Sequence, residues 1–402
     1  MPIPVDDPRF GPGAHLLVTG GAGFIGSSFV RQVLGRDDGT RITVLDNLTY
    51  AGNEANLQPA FDAPAQAARL RFVRGDIADP ATVGPLVAEA DAVLNFAAES
   101  HVDRSILDPE AFLRTGVIGV HVLLAACRAQ AAAVAAGERR TPGGDPRPAP
   151  RYLHVSTDEV YGSVESGRSV ESDALAPRSP YAAAKASGEL LVRSYVVTHG
   201  IDAVVTRGSN TFGPYHHPEK LIPLFITNAL ENRPLPLYGD GLQQRDWLFV
   251  TDHAGAIECV LRRGTSGETY NIPGSAEMTN RDVVRLLLEA LGKPWSLVRT
   301  VDDRPGHDRR YALDGSKLAA LGWRNKVDFA DGLRTTIDWF RANEGWWRAL
   351  KSGDWDAYYE RQYGRRLAGS SAATVNSAGS TAAGADIAGA APGQPGPSRP
   401  GG

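Results

Sequence analysis

The chain has 402 residues, of which 42% are hydrophobic and 22% are charged, with a net charge of −4 and a pI near 6.2. This composition predicts a soluble globular protein with a substantial core, and it has no basic excess that would indicate a nucleic-acid partner. Cys127 and Cys259 lie in apolar helix-like runs, which favours free thiols in a reducing cytoplasm over a disulfide or metal site. Without a signal-peptide pattern or an uninterrupted run of about 18 apolar residues, we expect neither export nor a membrane partner.

From residue 15 onward, short apolar runs alternate with amphipathic runs of helix length, which is typical of a parallel sheet covered by helices. The predicted strands are His15–Thr19, Arg41–Asp46, Arg71–Gly75, Ala92–Ala97, Tyr152–Thr157 and Ala203–Arg207. The predicted helices between them are Phe24–Leu34, Thr82–Ala90, Pro109–Ala135 and Tyr181–His199. This alternation predicts an α/β fold with a doubly wound parallel Rossmann-type sheet, whose ligands gather at the carboxyl ends of the strands.

After about residue 208 the alternation loosens and prolines separate shorter segments, which predicts a smaller mixed lobe. We therefore predict a dinucleotide-binding domain over residues 14–208 and a substrate-binding lobe over 209–350, and leave open whether the two interleave. The Pro/Gly-rich stretch at about 137–150 is predicted to be an inserted mobile loop. The Ala/Gly/Ser/Pro stretch at 368–402 is predicted to be a disordered tail.

A glycine-rich turn joins the first predicted strand to the first predicted helix. Gly20, Gly23 and Gly26 allow a tight turn and let a diphosphate approach backbone amides at the helix N-terminus. Asp46 ends the second strand, where its carboxylate can accept hydrogen bonds from both ribose hydroxyls. Because no arginine follows Asp46, and a carboxylate would repel a 2′-phosphate, the pattern predicts NAD rather than NADP. Asp76 is expected near the adenine, with a helix-capping role as the alternative.

The side chains suited to proton transfer lie close together in the sequence. Tyr181 and Lys185 are four residues apart and share a helix face, so the ammonium and a nicotinamide cation favour a basic phenolate. Thr157 supplies a hydroxyl that can orient a substrate alcohol. Asp158 and Glu159 add two carboxyls that alcohol oxidation does not need, and neighbouring acids in a closed site separate in pKa. The set predicts oxidation together with loss of water, with capping of the next segment as the structural alternative for the two acids.

Further along the chain, several donors are suited to a second diphosphate, although each alone is more often a structural or solvated charge. They are Arg207, Asn210, Lys220, Arg245 and Arg304. The nine histidines show no regular ligand spacing with Cys or Asp, so we predict no metal site.

Six longer motifs resemble those of the extended short-chain dehydrogenase/reductases and, within them, of the dTDP-glucose 4,6-dehydratases. These motifs lie at 46–53 (DNLTYAGN), 97–105 (AAESHVDRS), 156–162 (STDEVYG), 218–223 (PEKLIP), 239–247 and 303–308 (DRPGHD). The resemblance covers about residues 14–345. Asn210-Thr211-Phe212 departs from it, since family members often carry a second Asn and a Tyr there.

The resemblance implies a lyase, specifically a hydro-lyase, that converts dTDP-glucose to dTDP-4-keto-6-deoxyglucose by transient oxidation, water loss and hydride return through bound NAD. The implied catalytic residues are Thr157, Asp158, Glu159, Tyr181 and Lys185. The implied cofactor contacts are Gly20, Gly23, Phe24, Ile25, Gly26, Asp46, Asn47, Leu48, Thr49, Asp76, Ile77, Phe96, Ala97, Ala98, Thr115, Tyr181 and Lys185. The implied substrate contacts are Ser100, Thr157, Asn210, Lys220, Leu221, Pro236, Leu237, Tyr238, Arg245, Asn280, Asp303, Arg304 and His307. A homodimer paired through the helices Pro109–Ala135 and Tyr181–His199 is also implied.

Other functions remain open at this point. A nucleotide-sugar 4-epimerase shares the fold, NAD and the Tyr181/Lys185 pair, but it does not need the two acids after Thr157. A UDP-sugar decarboxylase or a GDP-mannose dehydratase differs in the nucleotide base that it prefers. An NAD-sensing regulatory protein would be expected to have lost catalytic side chains, and all five are present here.

Overall fold

The apolar runs of the first half of the chain form six parallel strands, as predicted. They are β1 (His15–Thr19), β2 (Arg41–Asp46), β3 (Leu70–Arg74), β4 (Ala92–Asn95), β5 (Arg151–Thr157) and β6 (Ala203–Gly208). The computed structural model describes residues 6–141, 143–368 and 371–372. Successive side chains of β1 enter different cores: Leu17 packs on one face of the sheet and Val18 on the other. Burial on both faces explains why these strands are continuously apolar.

A seventh strand comes from the second half of the chain. The later strands are β7 (Asn210–Phe212), β8 (Leu235–Tyr238), β9 (Gln244–Phe249), β10 (Thr269–Ile272), β11 (Ala276–Thr279), β12 (Val298–Val301) and β13 (Ser371–Ala372). Of these, β10 pairs in parallel with β6, giving the order β10-β6-β5-β4-β1-β2-β3. The chain therefore returns to the first sheet after residue 208. The strand order reverses beside β1, which is where a doubly wound sheet forms its ligand crevice.

Long helices cover both faces of this sheet, in agreement with the predicted alternation. They are Phe24–Leu34, Pro80–Glu89, Val120–Ala135, Pro180–His199 and Val250–Arg263. The predicted helix Pro109–Ala135 is interrupted by a π-helical turn, Arg114–Gly119, which follows the short helix Glu110–Leu113. At this turn the chain crosses helix Pro180–His199 closely, since a Cβ added to Gly188 would lie 2.9 Å from the carbonyl oxygen of Gly116.

The stretch Glu110–Ala135 is long and apolar enough to cross a membrane by length and composition alone, with a mean hydropathy of 1.7. A core helix of a globular protein meets the same criterion. Leu123 and Leu124 are fully buried in the core that covers one face of the sheet. Only 33% of the apolar window is buried, so much of the opposite face remains exposed.

The smaller lobe contains two three-stranded sheets, ordered β11-β9-β7 and β13-β12-β8. Its core is rich in aromatic side chains, among them Phe212, Trp247 and Trp347. Its main helices are Leu221–Leu230, Asn280–Leu291 and Phe329–Ala342. The shorter helical segments of the whole described chain are Pro8–Phe10, Glu54–Leu57, Gln58–Phe61, Pro64–Ala67, Val102–Leu107, Asp158–Tyr161, Trp295–Leu297, Ser316–Ala320, Glu344–Leu350, Asp354–Tyr359, Glu360–Gly364 and Arg365–Ala368.

The start of the inserted loop is held more firmly than its composition predicts. Arg139 is buried, and its guanidinium donates to the carbonyl oxygens of Ala88, Ala90 and Pro148 at 2.9, 2.6 and 2.8 Å. These hydrogen bonds tie Arg139 to helix Pro80–Glu89 and to the entry to β4, while the mobility of the loop as a whole stays a prediction. The predicted tail 368–402 lies outside the described residues, apart from Ala368 and β13, which pairs antiparallel with β12.

Candidate active site

The carboxyl ends of the central strands open into one cavity of about 450 Å³. The fold thus brings together residues as far apart in the chain as Gly20 and His253. The predicted residues that line it are Gly20, Gly23, Phe24, Ile25, Gly26, Asp46, Asn47, Thr49, Asp76, Ile77, Phe96, Ala97, Ala98, Ser100, Thr115, Thr157, Asp158, Glu159, Tyr181, Lys185, Asn210, Lys220 and Leu221.

The glycine turn after β1 has no room for side chains. Gly20 has φ +67°, and an added Cβ would lie 2.5 Å from the amide nitrogen of Ala97. A Cβ on Gly26 would overlap the carbonyl oxygen of Gly20. Gly23 precedes helix Phe24–Leu34, and no side chain caps the helix start. Free amides at a helix N-terminus beside a cavity suit a diphosphate, so the turn fits the diphosphate of a dinucleotide.

Asp46 ends β2, where the ribose of a dinucleotide is expected. Its two carboxylate oxygens accept hydrogen bonds from the backbone amides of Ala22 and Leu48, at 2.9 and 2.8 Å. These bonds fix the carboxylate and leave each oxygen a lone pair for a ribose hydroxyl. Burial raises the pKa of Asp46 above its ordinary value. The Leu48 side chain packs against the core and is not part of the cavity lining, so any contact of this residue with a cofactor involves its backbone.

The helix-capping alternative for Asp76 is wrong, because Asp79 caps helix Pro80–Glu89, and the adenine contact of Asp76 stays a prediction. Asp76 lines the cavity, and one of its oxygens accepts a hydrogen bond from the backbone amide of Ala78 at 2.8 Å. The other oxygen pairs with Arg114 at 2.9 Å. Arg114 also lines the cavity, although the sequence analysis did not identify it.

The acid pair starts at the end of β5. The Thr157 hydroxyl donates to Asp158 Oδ1 at 3.1 Å and accepts from the backbone amide of Glu159 at 3.3 Å, so it caps the short helix Asp158–Tyr161. Asp158 is buried, and its Oδ2 has no hydrogen-bond partner among the described residues. An unsatisfied buried carboxyl oxygen at a cavity is available to a ligand.

The surroundings separate the two acids electrostatically. Burial raises the pKa of Asp158 well above its ordinary value, and the neighbouring Glu159 carboxylate raises it further. Desolvation also raises the pKa of Glu159, but the positive charges of Arg304, Arg245 and Lys220 oppose that rise. Asp158 is therefore the acid that keeps its proton, while Glu159 ionises more readily.

The tyrosine and lysine of helix Pro180–His199 are positioned separately by the protein. Lys185 Nζ donates to the carbonyl oxygen of Val155 at 2.5 Å, and burial lowers its pKa to about 8. Desolvation and the carboxyls of Glu159 and Asp158 raise the pKa of Tyr181 well above its ordinary value, and the neighbouring Thr157 hydroxyl opposes that rise in pKa. In the protein alone, desolvation dominates and Lys185 is bonded to the backbone; the predicted phenolate also requires the nicotinamide cation and stays a prediction.

The predicted substrate residues fall into two groups. Ser100, Asn210, Lys220 and Leu221 line the cavity, and Lys220 Nζ donates to the carbonyl oxygen of Ser100. The others lie outside the cavity lining, in the smaller lobe: Pro236, Leu237, Tyr238, Arg245, Asn280, Asp303, Arg304 and His307.

Two of the outlying groups are already engaged within the protein. Arg245 is buried against the ring of Tyr311, with its charge centre 4.3 Å from the ring centroid, and donates to the carbonyl oxygens of Gln244 and Asp308 at 2.7 and 2.9 Å. His307 donates to Asp303 at 2.6 Å, and burial lowers the pKa of His307 to about 4. Arg207, a donor suggested by the sequence, instead forms a buried ion pair with Glu189 at 2.6 Å.

Sequence reasoning missed several residues that line the cavity. His216 stacks on Phe24 with ring centroids 4.1 Å apart. His253 is hydrogen-bonded to Thr211 Oγ1 at 2.7 Å. Spacing alone does not mark either histidine, because each approaches the cavity from a distant part of the chain. No group of three or more His, Cys, Asp or Glu side chains in residues 6–141, 143–368 and 371–372 is arranged to hold a metal ion.

The sequence matches the model of the GDP-mannose 4,6 dehydratase family over residues 17–336. The chain belongs to this family. The dTDP-glucose 4,6-dehydratase of Streptomyces antibioticus is 51% identical over 343 residues, which cover 84% of this chain and 95% of that protein. The resemblance to dTDP-glucose 4,6-dehydratases is thereby confirmed.

Solved structures of similar fold include a dTDP-glucose 4,6-dehydratase and a nucleotide-sugar epimerase. The dTDP-glucose 4,6-dehydratase DesIV from Streptomyces venezuelae, solved with NAD bound, is 50% identical and superposes with a TM-score of 0.76, covering 84% of this chain and 100% of that one. The UDP-glucose 4-epimerase from Thermus thermophilus, also solved with NAD, is 32% identical with a TM-score of 0.70, covering 82% and 99% of the two chains. The dehydratase is the closer of these two, and both support the predicted Rossmann-type fold.

Proposed function

We propose that this protein converts dTDP-glucose to dTDP-4-keto-6-deoxyglucose as an NAD-dependent hydro-lyase. The observation that carries the proposal is the acid pair Asp158-Glu159 beside Tyr181 and Lys185 at the end of β5. A 4-epimerase needs only the alcohol-oxidising part of this set. A regulatory protein would have no need of the separated acids.

NAD fits the half of the cavity that lies over β1 and β2. The cradle formed by Gly20 and Gly26 is closed to side chains but open to a diphosphate, and Asp46 presents its carboxylate to the ribose. Since that carboxylate would repel a 2′-phosphate, we propose NAD over NADP. When bound, NAD accepts the hydride from C4 of the glucose and returns it to C6.

The residues of the chain perform the proton transfers. Tyr181 removes the proton of the 4-hydroxyl, which Thr157 orients, so that a ketone forms at C4. The positive charge of a bound nicotinamide and that of Lys185 favour the phenolate, which desolvation alone disfavours. In the protein by itself, the neutral phenol is therefore the resting form.

The two carboxyls then remove water. The C4 ketone makes the C5 proton acidic, and Glu159 removes it as the base. Asp158, which burial keeps protonated, donates to the departing 6-hydroxyl. Glu159 then returns its proton to C5 once C6 has been reduced, and that reduction is the chemistry that bound NAD would supply. The result is a 4-keto-6-deoxy sugar with no net oxidation.

We propose that the smaller lobe holds the dTDP half of the substrate. Lys220 and Asn210 line the cavity, and Arg245 and Arg304 lie near enough for their charges to lower the pKa of Glu159. In a protein with a net charge of −4, these local cations are suited to a diphosphate. We retain the division at about residue 208 as part of this proposal, with β10 interleaving the two parts.

We further propose that the enzyme is a homodimer. Helices Val120–Ala135 and Pro180–His199 lie side by side, with the Tyr195 hydroxyl 3.0 Å from His121 Nδ1. Their outward face and the adjoining turns expose Leu113, Ile118, Leu190 and Val197, which are 50%, 51%, 57% and 76% exposed. Exposed apolar side chains on a pair of neighbouring helices suit a twofold interface. Sedimentation that shows only monomer at micromolar concentration would contradict it.

The same proposal assigns the enzyme to the cytoplasm. Cys127 and Cys259 are both free thiols. Free thiols are the usual state in a reducing compartment.

The activity is tested by incubating the purified protein with dTDP-glucose and, separately, with UDP-glucose. We expect the alkaline absorbance of a 4-keto sugar and the loss of one water by mass spectrometry with the dTDP sugar. Epimerised product without loss of water would favour the 4-epimerase. Faster turnover of the UDP sugar would overturn the dTDP assignment and leave the dehydration mechanism standing.

A further inference from the structure

The segment Asp354–Ala368 lies beyond the residues matched by the family model, which end at 336. It nevertheless contacts helix Val102–Leu107, which comes in the chain shortly after the cavity-lining residues 96–100. Two neighbouring residues of that helix, Asp103 and Arg104, receive the contacts. Asp103 also pairs with Arg304, a predicted diphosphate-binding residue, and Arg104 pairs with Glu219, which precedes another such residue, Lys220.

Arg104 is held from three directions. Its guanidinium lies between the rings of Tyr50 and Tyr358, with its centre 3.9 and 4.2 Å from the two ring centroids. Its Nε donates to Glu219 at 2.9 Å, and the Glu219 side chain is completely buried. Lys220 follows directly in the chain and points to the cavity. Arg104 is therefore one of the contacts that fix the chain beside Lys220.

Asp103 forms the second connection. Its carboxylate accepts from Arg304 at 2.9 Å, from Gln362 at 2.8 Å and from the Tyr238 hydroxyl at 3.0 Å. Gln362 also donates to the Tyr238 hydroxyl at 2.8 Å. The C-terminal segment is thus part of the network that fixes the guanidinium of Arg304.

We propose that Asp354–Ala368 is a clamp whose Tyr358 and Gln362 hold Lys220 and Arg304 in position for the diphosphate of the sugar nucleotide. Both residues act indirectly. Tyr358 acts through Arg104 and Glu219, and Gln362 acts through Asp103. They are positioning residues, since neither lines the cavity. A long cation that is already fixed loses less conformational freedom on binding, so the clamp strengthens ligand affinity.

The inference rests on the proposed function for the identity of the ligand, but it can be tested by binding alone. The probe is dTDP, titrated calorimetrically into the NAD-loaded full-length protein. For Tyr358→Leu and Gln362→Leu we expect Kd for dTDP and KM for dTDP-glucose to rise about tenfold, with kcat within about threefold of wild type. Such a split is expected of a group that positions the ligand rather than the reacting atoms.

Matched controls separate positioning from general packing. Tyr358→Phe keeps the ring, and the hydroxyl that it loses has no hydrogen-bond partner among the described residues, so affinity should be restored to within about twofold. Arg361→Ala changes an exposed residue of the same segment and should leave Kd and kcat unchanged. If Tyr358→Leu does not fold, Arg104→Lys provides the same test, because it keeps the charge and loses the planar stacking group.

The outcomes are distinguishable. A folded Tyr358→Leu or Gln362→Leu variant with wild-type Kd and KM would overturn the clamp. A Tyr358→Phe variant as weak as Tyr358→Leu would also overturn it, because the ring would then not be the group that acts. If the wild type binds dTDP but does not dehydrate dTDP-glucose, the proposed function fails while the dTDP titrations still test the clamp. Absence of dTDP binding to the wild type would overturn both.

Discussion

The two halves of the cleft bind by different physical means. The nucleotide half over β1 and β2 is formed by backbone atoms, two tightly packed glycines and one carboxylate, Asp46. The proposed substrate half relies on long cations, Lys220, Arg245 and Arg304, which are fixed by hydrogen bonds to residues far away in the chain. The nucleotide half requires room for the cofactor next to the backbone, and short local stretches of sequence specify it. The substrate half requires correctly placed positive charges, and tertiary contacts specify their positions. Substitutions in the two halves should accordingly affect different measurable quantities.

The largest effect on activity is expected from a substitution of Glu159, which lies where the two halves of the cleft meet. Glu159→Gln removes the base for the C5 proton and leaves Tyr181 and Thr157 in place. Dehydration should slow by about 100-fold or more, the usual effect of losing a general base. The enzyme should accumulate the 4-ketoglucose derivative that has not lost water, which rapid quenching and mass spectrometry can detect. Glu165→Gln, at an exposed neighbour, is the control. Wild-type dehydration by Glu159→Gln would make Glu159 structural.

The steric character of the nucleotide half is tested by Gly26→Ala. The new methyl group would overlap the backbone at Gly20, which should remove most of the NAD that copurifies with the protein and lower stability by about 1–3 kcal/mol. Gly345→Ala is the matched control, since a Cβ there meets no atom within 4 Å and the residue lies in helix Glu344–Leu350. The control should be more stable than wild type by about 0.5–1 kcal/mol. Full NAD content in Gly26→Ala would refute the steric account.

The proposed role of the Arg245 guanidinium in the substrate half is tested by Arg245→Lys. The lysine keeps the charge but loses the planar fork that meets the two carbonyl oxygens and that is proposed to bind a phosphate. We expect KM for dTDP-glucose to rise about tenfold, equivalent to about 1.4 kcal/mol of binding, with kcat little changed. Steady-state kinetics provide the measurement. An unchanged KM would mean that Arg245 only supports the lobe.

The smallest effect concerns pH. Burial lowers the pKa of Lys185 to about 8, so its positive charge is present below that pH and lost above it. Because this charge supports the Tyr181 phenolate, kcat should fall to about half near pH 8 and decrease further above it. Lys185→Arg, which stays charged, should shift this loss to higher pH without changing the pH dependence of KM. A kcat that stays constant to pH 10 would show that Lys185 does not control Tyr181.

Elements that depend on local sequence could be predicted well, whereas those that depend on tertiary contacts could not. The strands β1 to β6 and the helices between them were predictable to within a few residues, because buried parallel strands are continuously apolar and their neighbours amphipathic. Strand β10 was missed as a member of the main sheet, since a four-residue apolar run does not reveal which sheet it joins. The buried Arg139 likewise cannot be distinguished from an exposed arginine by composition.

The sequence by itself determined the glycine turn, the terminal Asp46, the adjacent acids and the helical spacing of Tyr181 and Lys185. These features are local, because neighbouring residues on a strand end or a helix face have nearly fixed geometry whatever surrounds them. Only the tertiary structure decided the protonation preferences of Asp158 and Tyr181, the partners of Arg245 and Arg304, and the stacking of His216 on Phe24. Desolvation and long-range charge depend on how distant segments pack, and no local pattern in the chain encodes that packing.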